Sequence, residues 1–304
     1  MIYTLTINPA IDYHMALIEL TRGAVNRSAA EEIYLGGKGI NVSTVLSTLG
    51  TENVAMGFVA GFTGEELENG LKAKGIKTDF VRLDKGMTRI CVKLTDEDGT
   101  ETELNAAGPE ISDSDIVSLF DKLDKLTEND TLVLAGSVPK SVDSDIYEKI
   151  CSRLFEKVKI AVDASGELLT KVLHFHPWLI KPNNHEAEEI CGKKIDSHKS
   201  AEDCAVQLRA MGAMNVIISM GEKGAVLAAQ DGNVYRITAP RLKVVNSVGS
   251  GDSLLAGFLS GYELTSDYRE ALRYGIAAGS ATAFSKGLCN RGLFEDLLSM
   301  VQYG

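Results

Sequence analysis

Several features that assign a protein to a particular class are absent from this sequence. Its five cysteines include no CxxC pair, and their odd number argues against a disulfide framework. The first residues do not combine a basic segment with a long apolar run, and no apolar stretch approaches the roughly 18 residues that a membrane helix needs. The net charge of −11 disfavours nonspecific binding to nucleic acid. We therefore expect a cytoplasmic protein with reduced thiols that binds neither membranes nor nucleic acid.

Compact apolar runs alternate with helical patterns over most of the 304 residues, and 44% of all residues are apolar, which is enough for a large core. Such runs are typical of parallel strands that are covered on both faces. A helix is predicted over residues 40–49, and Gly50 is placed to end it. The alternation of strands and helices predicts a doubly wound α/β layer structure, and the length fits one large α/β domain or two ordinary ones. The predicted strands span residues 2–7, 53–59, 131–136, 159–164, 178–183 and 215–220.

Two segments, residues 11–35 and 79–105, interrupt this alternation because they contain β-type runs without helices between them. The second segment contains "FVRL", "TRICVKL" and "TETELN", with a turn at "DEDG". We expect a small antiparallel sheet inserted into the α/β body, which would serve as a lid if it lies near an active site. The open edges of such a sheet would invite pairing with another chain.

The stretch "NSVGSGDSLLAGF", residues 246–258, places three small residues and an acid immediately before an apolar helical pattern. It matches neither the P-loop pattern, because no lysine follows Gly251, nor the dinucleotide pattern, because Leu254 occupies the third glycine position. A tight glycine turn before a helix exposes backbone amides that attract anions. Asp252 could cap the helix, or it could take a proton from a hydroxyl while the amides stabilise phosphoryl charge.

Together with "GGKGINVSTVLSTLG" (36–50), this stretch resembles the two signature segments of the ribokinase-like (PfkB) carbohydrate kinases. The resemblance implies one domain over residues 1–304, built as three layers around a mostly parallel sheet with a small β-sheet lid, and a homodimer joined through the lids. Within the family, the chain is most similar to the 1-phosphofructokinase branch, followed by the tagatose-6-phosphate kinases; "AGFTG" (60–64) favours the former. The resemblance runs essentially end to end and includes "TLTINPAID" (4–12), "GFVAGFTGEELENGLKAKGI" (57–76), "DGTETELNAAGPEI" (98–111), "GSVP" (136–139), "IKPNNHE" (180–186) and "ISMGEKGA" (218–225).

The same resemblance implies roles for individual residues on the catalytic and sugar side of the site. Asp252 would be the catalytic base, and Gly249, Ser250 and Gly251 would form the anion hole. Arg89 would bind the phosphate of the substrate, since arginine binds phosphate through two parallel hydrogen bonds; without the resemblance it would be read as a solvated strand residue. The other implied substrate ligands are Asp12, Arg27, Gly36, Gly37, Lys38, Asn41 and Ser137.

On the nucleotide side, the resemblance implies that Asn183 and Glu186 act on Mg²⁺ through water; helix capping by Asn183 is the alternative. A monovalent cation is a further expectation, near "NSV" (246–248) and residues 282–287. The residues implied to bind ATP are Lys181, Asn183, Ser219, Met220, Gly221, Glu222, Lys223, Gly224, Val248 and Gly279.

The expected reaction is transfer of the γ-phosphoryl group of ATP to the C6 hydroxyl of fructose 1-phosphate, giving fructose 1,6-bisphosphate. Tagatose 6-phosphate and fructose 6-phosphate are the alternative acceptors, because each also carries one phosphate and one free primary hydroxyl. A sugar-phosphate sensor without catalytic activity is a rival from another class. The presence of Asp252, Asn183 and Glu186 argues against that rival.

Overall fold

A computed structural model describes residues 1–301 of the chain. In this range a ten-stranded sheet forms the centre, with strand order β14-β13-β12-β11-β10-β9-β1-β4-β5 and β6 paired to β4. All its pairs are parallel except β12–β13 and β13–β14. Its strands are β1 (Ile2–Thr6), β4 (Asn53–Ala60), β5 (Lys77–Thr78), β6 (Val81–Leu83), β9 (Thr131–Ala135), β10 (Lys159–Asp163), β11 (Leu179–Ile180), β12 (Asn215–Ser219), β13 (Ala225–Ala228) and β14 (Val234–Ile237).

Helices cover both faces of the central sheet, so that apolar layers lie on its two sides. Every residue of β4 is buried, which explains why the sequence shows a continuous apolar run there rather than an alternating one. The predicted doubly wound, mostly parallel architecture is confirmed. The helices are α1 (Lys38–Thr48), α2 (Gly61–Ala73), α3 (Asp113–Leu123), α4 (Ile146–Leu154), α5 (Glu167–Thr170), α6 (Asn184–Cys191), α7 (His198–Ala210), α8 (Ser250–Thr265), α9 (Tyr268–Ala283) and α10 (Arg291–Met300).

The six predicted strands are all present, but the one predicted over residues 178–183 is short. β11 ends at Ile180 because Pro182 has no amide hydrogen to donate to the sheet and Asn183 begins the next helix as its cap. Helix α1 begins at Lys38, two residues before the predicted start, and Gly50 follows it with a left-handed φ of 84°. In residues 1–301, no helix has the length and apolar character needed to cross a membrane.

A second, four-stranded sheet forms the lid, with strand order β3-β2-β7-β8. Its strands are β2 (Ala10–Ala16), β3 (Ala30–Gly36), β7 (Arg89–Thr95) and β8 (Glu101–Asn105). The prediction of a wholly antiparallel sheet was wrong, because the two inner strands, β2 and β7, pair in parallel. A parallel pair needs a long crossover connection. The connection between β2 and β7 contains β3, α1, β4, α2, β5 and β6.

The prediction was also wrong to place "FVRL" in the lid. Strand β6 pairs in parallel with β4, and its Val81 and Leu83 are buried in the central core while Arg82 between them is exposed. The sequence pattern thus predicted a strand correctly, but it did not predict the sheet in which that strand pairs.

The expectation of reduced thiols was wrong for one pair of cysteines. Cys191, at the end of α6, is disulfide-bonded to Cys204 in α7, and their Cα atoms lie 6.1 Å apart. Cys91, Cys151 and Cys289 are free and buried. The bonded pair is separated by 13 residues, a spacing that matches no redox or metal motif, and the packing of α6 against α7 brings the two side chains together.

Candidate active site

Asp252 lies in the first turn of α8 and is buried, with 6% of its surface exposed. Its Oδ2 accepts a 2.7 Å hydrogen bond from Nδ2 of Asn41 in α1. The helix cap is Gly249, which has a left-handed φ of 77° and makes no side-chain capping bond. The carboxylate therefore faces a neighbouring helix, and the capping role considered for Asp252 is filled by a glycine.

The turn of Gly249, Ser250 and Gly251 is closely packed. A Cβ atom at Gly251 would lie 3.3 Å from Nζ of Lys181, and one at Gly249 would lie 2.6 Å from Cδ2 of Leu288. Side chains at these two positions would therefore crowd the space in front of the helix N-terminus, where backbone amides attract an anion. Within residues 1–301, the buried Oγ of Ser250 has no hydrogen-bond partner.

Two lysines and a second carboxylate complete the centre of the site. Nζ of Lys38, the first residue of α1, lies 3.3 Å from Oδ1 of Asp163. Nζ of Lys181, just after β11, lies 3.3 Å from Oδ2 of the same residue. Asp163 is the last residue of β10 and is completely buried. Sequence reasoning missed it, although an acid that ends an apolar strand of a parallel sheet is the signal that could have identified it.

The charged groups of the site shift one another's pKa values. Burial, followed by the negative charge of Asp163, raises the pKa of Asp252 to about 6, while the Asn41 hydrogen bond and the two lysines oppose this shift. Burial would also raise the pKa of Asp163, but Lys181 and Lys38 outweigh it and hold that pKa below its usual value. Although burial opposes the shift, the pKa of Lys38 is raised by Asp163, Asp252 and Glu186. The site thus contains two lysines, one carboxylate that they hold ionised and one carboxyl with a pKa of about 6.

On the sugar side, the structure brings Asp12 and Gly36 together. Asp12 lies in β2, and a Cβ atom on Gly36 would overlap its carboxylate, so a larger residue at position 36 would displace the Asp12 side chain. Burial raises the pKa of Asp12. Gly37 has a left-handed φ of 112° and leads directly into Lys38. Gly36 and Gly37 therefore connect the end of lid strand β3 directly to Lys38 at the start of α1.

The two candidate arginines differ in their surroundings. Arg89 begins β7, opposite Ala10 of β2, and its Nε donates a 3.1 Å hydrogen bond to the backbone oxygen of Asn8. Arg27 is exposed in the loop between β2 and β3. Ser137 is exposed in the loop after β9, where a Cβ atom on the preceding Gly136 would lie 3.7 Å from Cβ of Lys38. Arg89 and the 136–137 loop therefore adjoin the site, whereas Arg27 lies on the outer part of the lid.

Asn183 and Glu186 form a capping box at the start of α6. Oδ1 of Asn183 accepts a 2.9 Å bond from the amide of Glu186, and Oε2 of Glu186 accepts a 2.8 Å bond from the amide of Asn183. The capping alternative for Asn183 is therefore realised. The Asn183 carbonyl oxygen and the Glu186 carboxylate oxygens have further lone pairs, so both side chains can still accept hydrogen bonds. Glu186 is also close enough to the site to raise the pKa of Lys38.

The loop at residues 219–224 lies at the end of β12, beside Asn183, to which Ser219 is bridged. The amide of Met220 donates to the oxygen of Gly224 at 2.8 Å, and Gly221, Glu222 and Lys223 form a 3₁₀ turn between them. The Nζ of Lys223 donates a 2.8 Å bond to the backbone oxygen of Asp196, which anchors the loop to the start of α7.

The remaining residues that were predicted to bind ATP lie around the start of α8. Val248 is exposed and Gly279 is buried in α9, where a Cβ atom would lie 3.0 Å from the backbone oxygen of Ser250. The two segments expected to hold a monovalent cation are adjacent, because the amides of Val245 and Asn246 both donate to the oxygen of Ala283. Gly279 thus allows α9 to approach the glycine turn.

Known proteins resemble this chain in both sequence and overall fold. The profile of the pfkB family of carbohydrate kinases matches residues 5–293. The chain is 43% identical over 303 residues to 1-phosphofructokinase of Bacillus subtilis, with 99% of each chain covered. It is 38% identical over 304 residues to D-tagatose-1-phosphate kinase of Bacillus licheniformis, again with 99% of each covered. A crystal structure of Escherichia coli phosphofructokinase-2 in complex with substrates and products matches with a TM-score of 0.92 at 25% identity and 99% coverage of each chain. This chain therefore belongs to the pfkB family of carbohydrate kinases.

Proposed function

We propose that this kinase transfers the γ-phosphoryl group of ATP to the C6 hydroxyl of fructose 1-phosphate, giving fructose 1,6-bisphosphate. The observation that carries the proposal is the buried Asp252 directly beside the amides of the Gly249–Gly251 turn. Phosphoryl transfer proceeds through a loose transition state, so it needs positioning and neutralisation of charge more than a strong base. A carboxylate and an anion-binding turn at one helix terminus supply both requirements.

Each group in the centre of the site has a part in this reaction. Asp252 accepts the proton of the C6 hydroxyl as the new oxygen–phosphorus bond forms and the bond to the leaving ADP oxygen breaks. The amides of the glycine turn, with Lys38 and Lys181, balance the negative charge on the moving phosphoryl group. The hydrogen bond from Asn41 holds the Asp252 carboxylate in place.

The sugar phosphate is assigned to the space between the lid and α1. Asp12 and Asn41 offer hydrogen-bonding groups for sugar hydroxyls, and Arg89, with Arg27 in the outer lid, supplies positive charge for the C1 phosphate. Among the candidate substrates we favour fructose 1-phosphate, because the relative with 43% identity is a 1-phosphofructokinase. D-Tagatose 1-phosphate is the second candidate, because a relative with 38% identity is D-tagatose-1-phosphate kinase.

ATP and Mg²⁺ are assigned to the other side of Asp252. Within residues 1–301 there is no group of three or more histidine, cysteine, aspartate or glutamate side chains that could hold a metal by itself. Mg²⁺ keeps several waters and binds nucleotide phosphates, so the oxygen acceptors of Asn183 and Glu186 fit a contact through water. When bound, Mg²⁺ neutralises charge on the β- and γ-phosphates. The 219–224 loop, Val248 and Gly279 are assigned to the nucleotide.

We assign the chain to the cytoplasm, where ATP and sugar phosphates are available, as one domain that forms a homodimer through the lids. The lid segments expose large apolar side chains, with exposed fractions of 70% for Ile18, 63% for Ile33 and 58% for Leu104. Ile33 and Leu104 lie in β3 and β8, the two edge strands of the lid sheet. Exposed apolar groups on open edges favour association.

The test is a coupled ADP-release assay with purified protein, ATP and Mg²⁺, using four sugar phosphates: fructose 1-phosphate, tagatose 1-phosphate, tagatose 6-phosphate and fructose 6-phosphate. We expect the highest kcat/KM for fructose 1-phosphate. A higher value for any of the others would reassign the substrate, and no ADP release with any of them would revive the sensor hypothesis. Light scattering on the same sample gives the oligomeric state.

A further inference from the structure

Asp163 is completely buried, yet the reaction described above gives it no role. A buried charge is tolerated only when it is paired, and Asp163 is paired twice, with one carboxylate oxygen 3.3 Å from Lys38 and the other 3.3 Å from Lys181. The two lysines come from different parts of the chain, α1 and the segment after β11. One strand-end carboxylate thus joins the sugar side of the site to the nucleotide side.

The two lysines need such an anchor if they are to act on a phosphoryl group. Lysine has a long, flexible side chain, and the side chain of Lys38 is 40% exposed, so packing alone does not fix its ammonium group. Asp252 is a second carboxylate within electrostatic reach of both lysines. Without Asp163, both ammonium groups would be drawn to Asp252, the group that must remain available to accept the substrate proton.

We propose that Asp163 is a positioning residue for phosphoryl transfer: it holds the ammonium groups of Lys38 and Lys181 at its two carboxylate oxygens and keeps them from pairing with Asp252. The inference rests on the proposed function. The groups that face Asp252 are Asn41 and Lys38 from α1, Asp163 from β10 and Lys181 after β11. With Asp163 ionised, its charge and that of Asp252 balance the two lysines before the substrates arrive.

If Asp163 had a purely structural role, a different result would be expected. In that case its ion pairs with Lys38 and Lys181 would only stabilise the fold, and their loss would lower stability and the amount of folded enzyme. The folded fraction would then keep its kcat and its pH profile. A positioning role requires both to change, because the lysines move towards Asp252 and the negative charge that opposes its ionisation is lost.

The test compares Asp163→Asn, which keeps the shape and removes the charge, with the wild type and with Asp130→Asn as a matched control. Asp130 is also a buried, ion-paired acid, but it lies at the opposite end of the central sheet, where it contacts the N-terminal amine 3.3 Å away. For folded Asp163→Asn we expect kcat to fall about 100-fold, by analogy with the loss of one preformed electrostatic contact, with KM values within about threefold. We also expect the acidic limb of the kcat/KM profile to move to lower pH. Asp130→Asn is expected to lose stability and to keep both kinetic properties.

Two further measurements make the outcome decisive. Asp163→Glu keeps the charge but displaces it, so we expect a lower kcat with a smaller shift of the acidic limb; it serves as the test if Asp163→Asn does not fold. Acetylation of Lys38, whose side chain is 40% exposed, is measured by peptide mass spectrometry and is expected to be several-fold faster in Asp163→Asn, because the two lysines then share the single carboxylate of Asp252.

Unchanged kcat in both variants, or a lower kcat with an unmoved acidic limb and unchanged acetylation, would overturn the inference. Failure of the proposed function is distinguishable, because it appears in the wild type as absent ADP release with all four sugar phosphates. The acetylation rates are measured without any substrate, so they report on the lysines in either case.

Discussion

The side chain of Asn41 donates a 2.7 Å hydrogen bond to Asp252, which lies 211 residues further along the chain. This bond joins the first turn of α1 to the first turn of α8. A hydrogen bond to an ionised carboxylate favours ionisation, and here it opposes the effects of burial and of Asp163. The bond therefore adjusts both the position and the basicity of the proposed catalytic base.

Replacement of Asp252 by Asn removes the proton acceptor while keeping an oxygen that can accept the bond from Asn41. We expect kcat to fall by about 10³-fold, with little change in KM, because general bases contribute roughly 10²–10⁴-fold. Steady-state kinetics on the variant check this. Retention of most of the wild-type activity would mean that another group accepts the proton.

The same variant is expected to be more stable than the wild type at pH 8. The pKa of Asp252 is raised from 3.8 to about 6, so its contribution to stability is full below pH 4 and is lost as pH rises through about 6. Removing an acid that is costly to ionise should raise the free energy of unfolding by on the order of 2 kcal/mol at pH 8. Denaturant unfolding at pH 8 and pH 4.5 measures this, and the gain should shrink at the lower pH.

Asn41→Ala removes the hydrogen bond that lowers the pKa of Asp252. The kcat/KM of the wild type is expected to fall below about pH 6, where Asp252 becomes protonated. In Asn41→Ala this acidic limb should move to higher pH. Thr44→Ala, on the same helix, removes a bond to the backbone oxygen of Ile40 and serves as a control that should leave the limb in place.

Gly224→Ala tests the loop assigned to the nucleotide. Gly224 has a φ of 86°, and a Cβ atom there would overlap the backbone oxygen of Ile237, so the loop must shift. Gly232 has a φ of 89° with nothing within 4 Å of a Cβ atom, which makes Gly232→Ala the matched control. Gly232→Ala should lose about 1 kcal/mol of stability from backbone strain, and Gly224→Ala should lose more because of the overlap. Only Gly224→Ala should raise the KM for ATP severalfold. Equal KM values in the two variants would remove the loop from the nucleotide site.

The disulfide between Cys191 and Cys204 gives a further test. Closing a loop of this size is expected to stabilise the fold by about 3 kcal/mol. Alkylation of the unfolded protein without reduction should modify Cys91, Cys151 and Cys289 and leave the bonded pair unmodified. Modification of all five cysteines would show that the pair is reduced in solution.

The central sheet and the glycine turn could be predicted because local patterns determine them. Apolar runs such as β4 are buried on both faces, and the conformation of Gly249 is one that glycine readily adopts. Asp252 and Asn41 were assigned roles by resemblance to known kinases, and the structure places their side chains 2.7 Å apart.

What could not be predicted depends on contacts between distant residues. Nothing within residues 80–83 indicates that β6 pairs with β4 rather than with the lid. The role of Asp163 depends on two lysines at positions 38 and 181, and the bonding of Cys191 depends on how α6 packs against α7. In each case the local sequence gives the chemical group and the tertiary structure gives its partner.

The parallel pairing of β2 with β7 also restricts the order in which the molecule is built. Ala10 pairs with Arg89 and Ala16 with Thr95, so the inner pair of the lid has no hairpin from which it can start. Contacts between residues so far apart in sequence form slowly, because the intervening chain must first become compact. On the ribosome, β2 can pair with β3 soon after both have emerged, but its other edge waits for β7. The sugar-binding surface is consequently completed only after α1, β4 and α2 have been made.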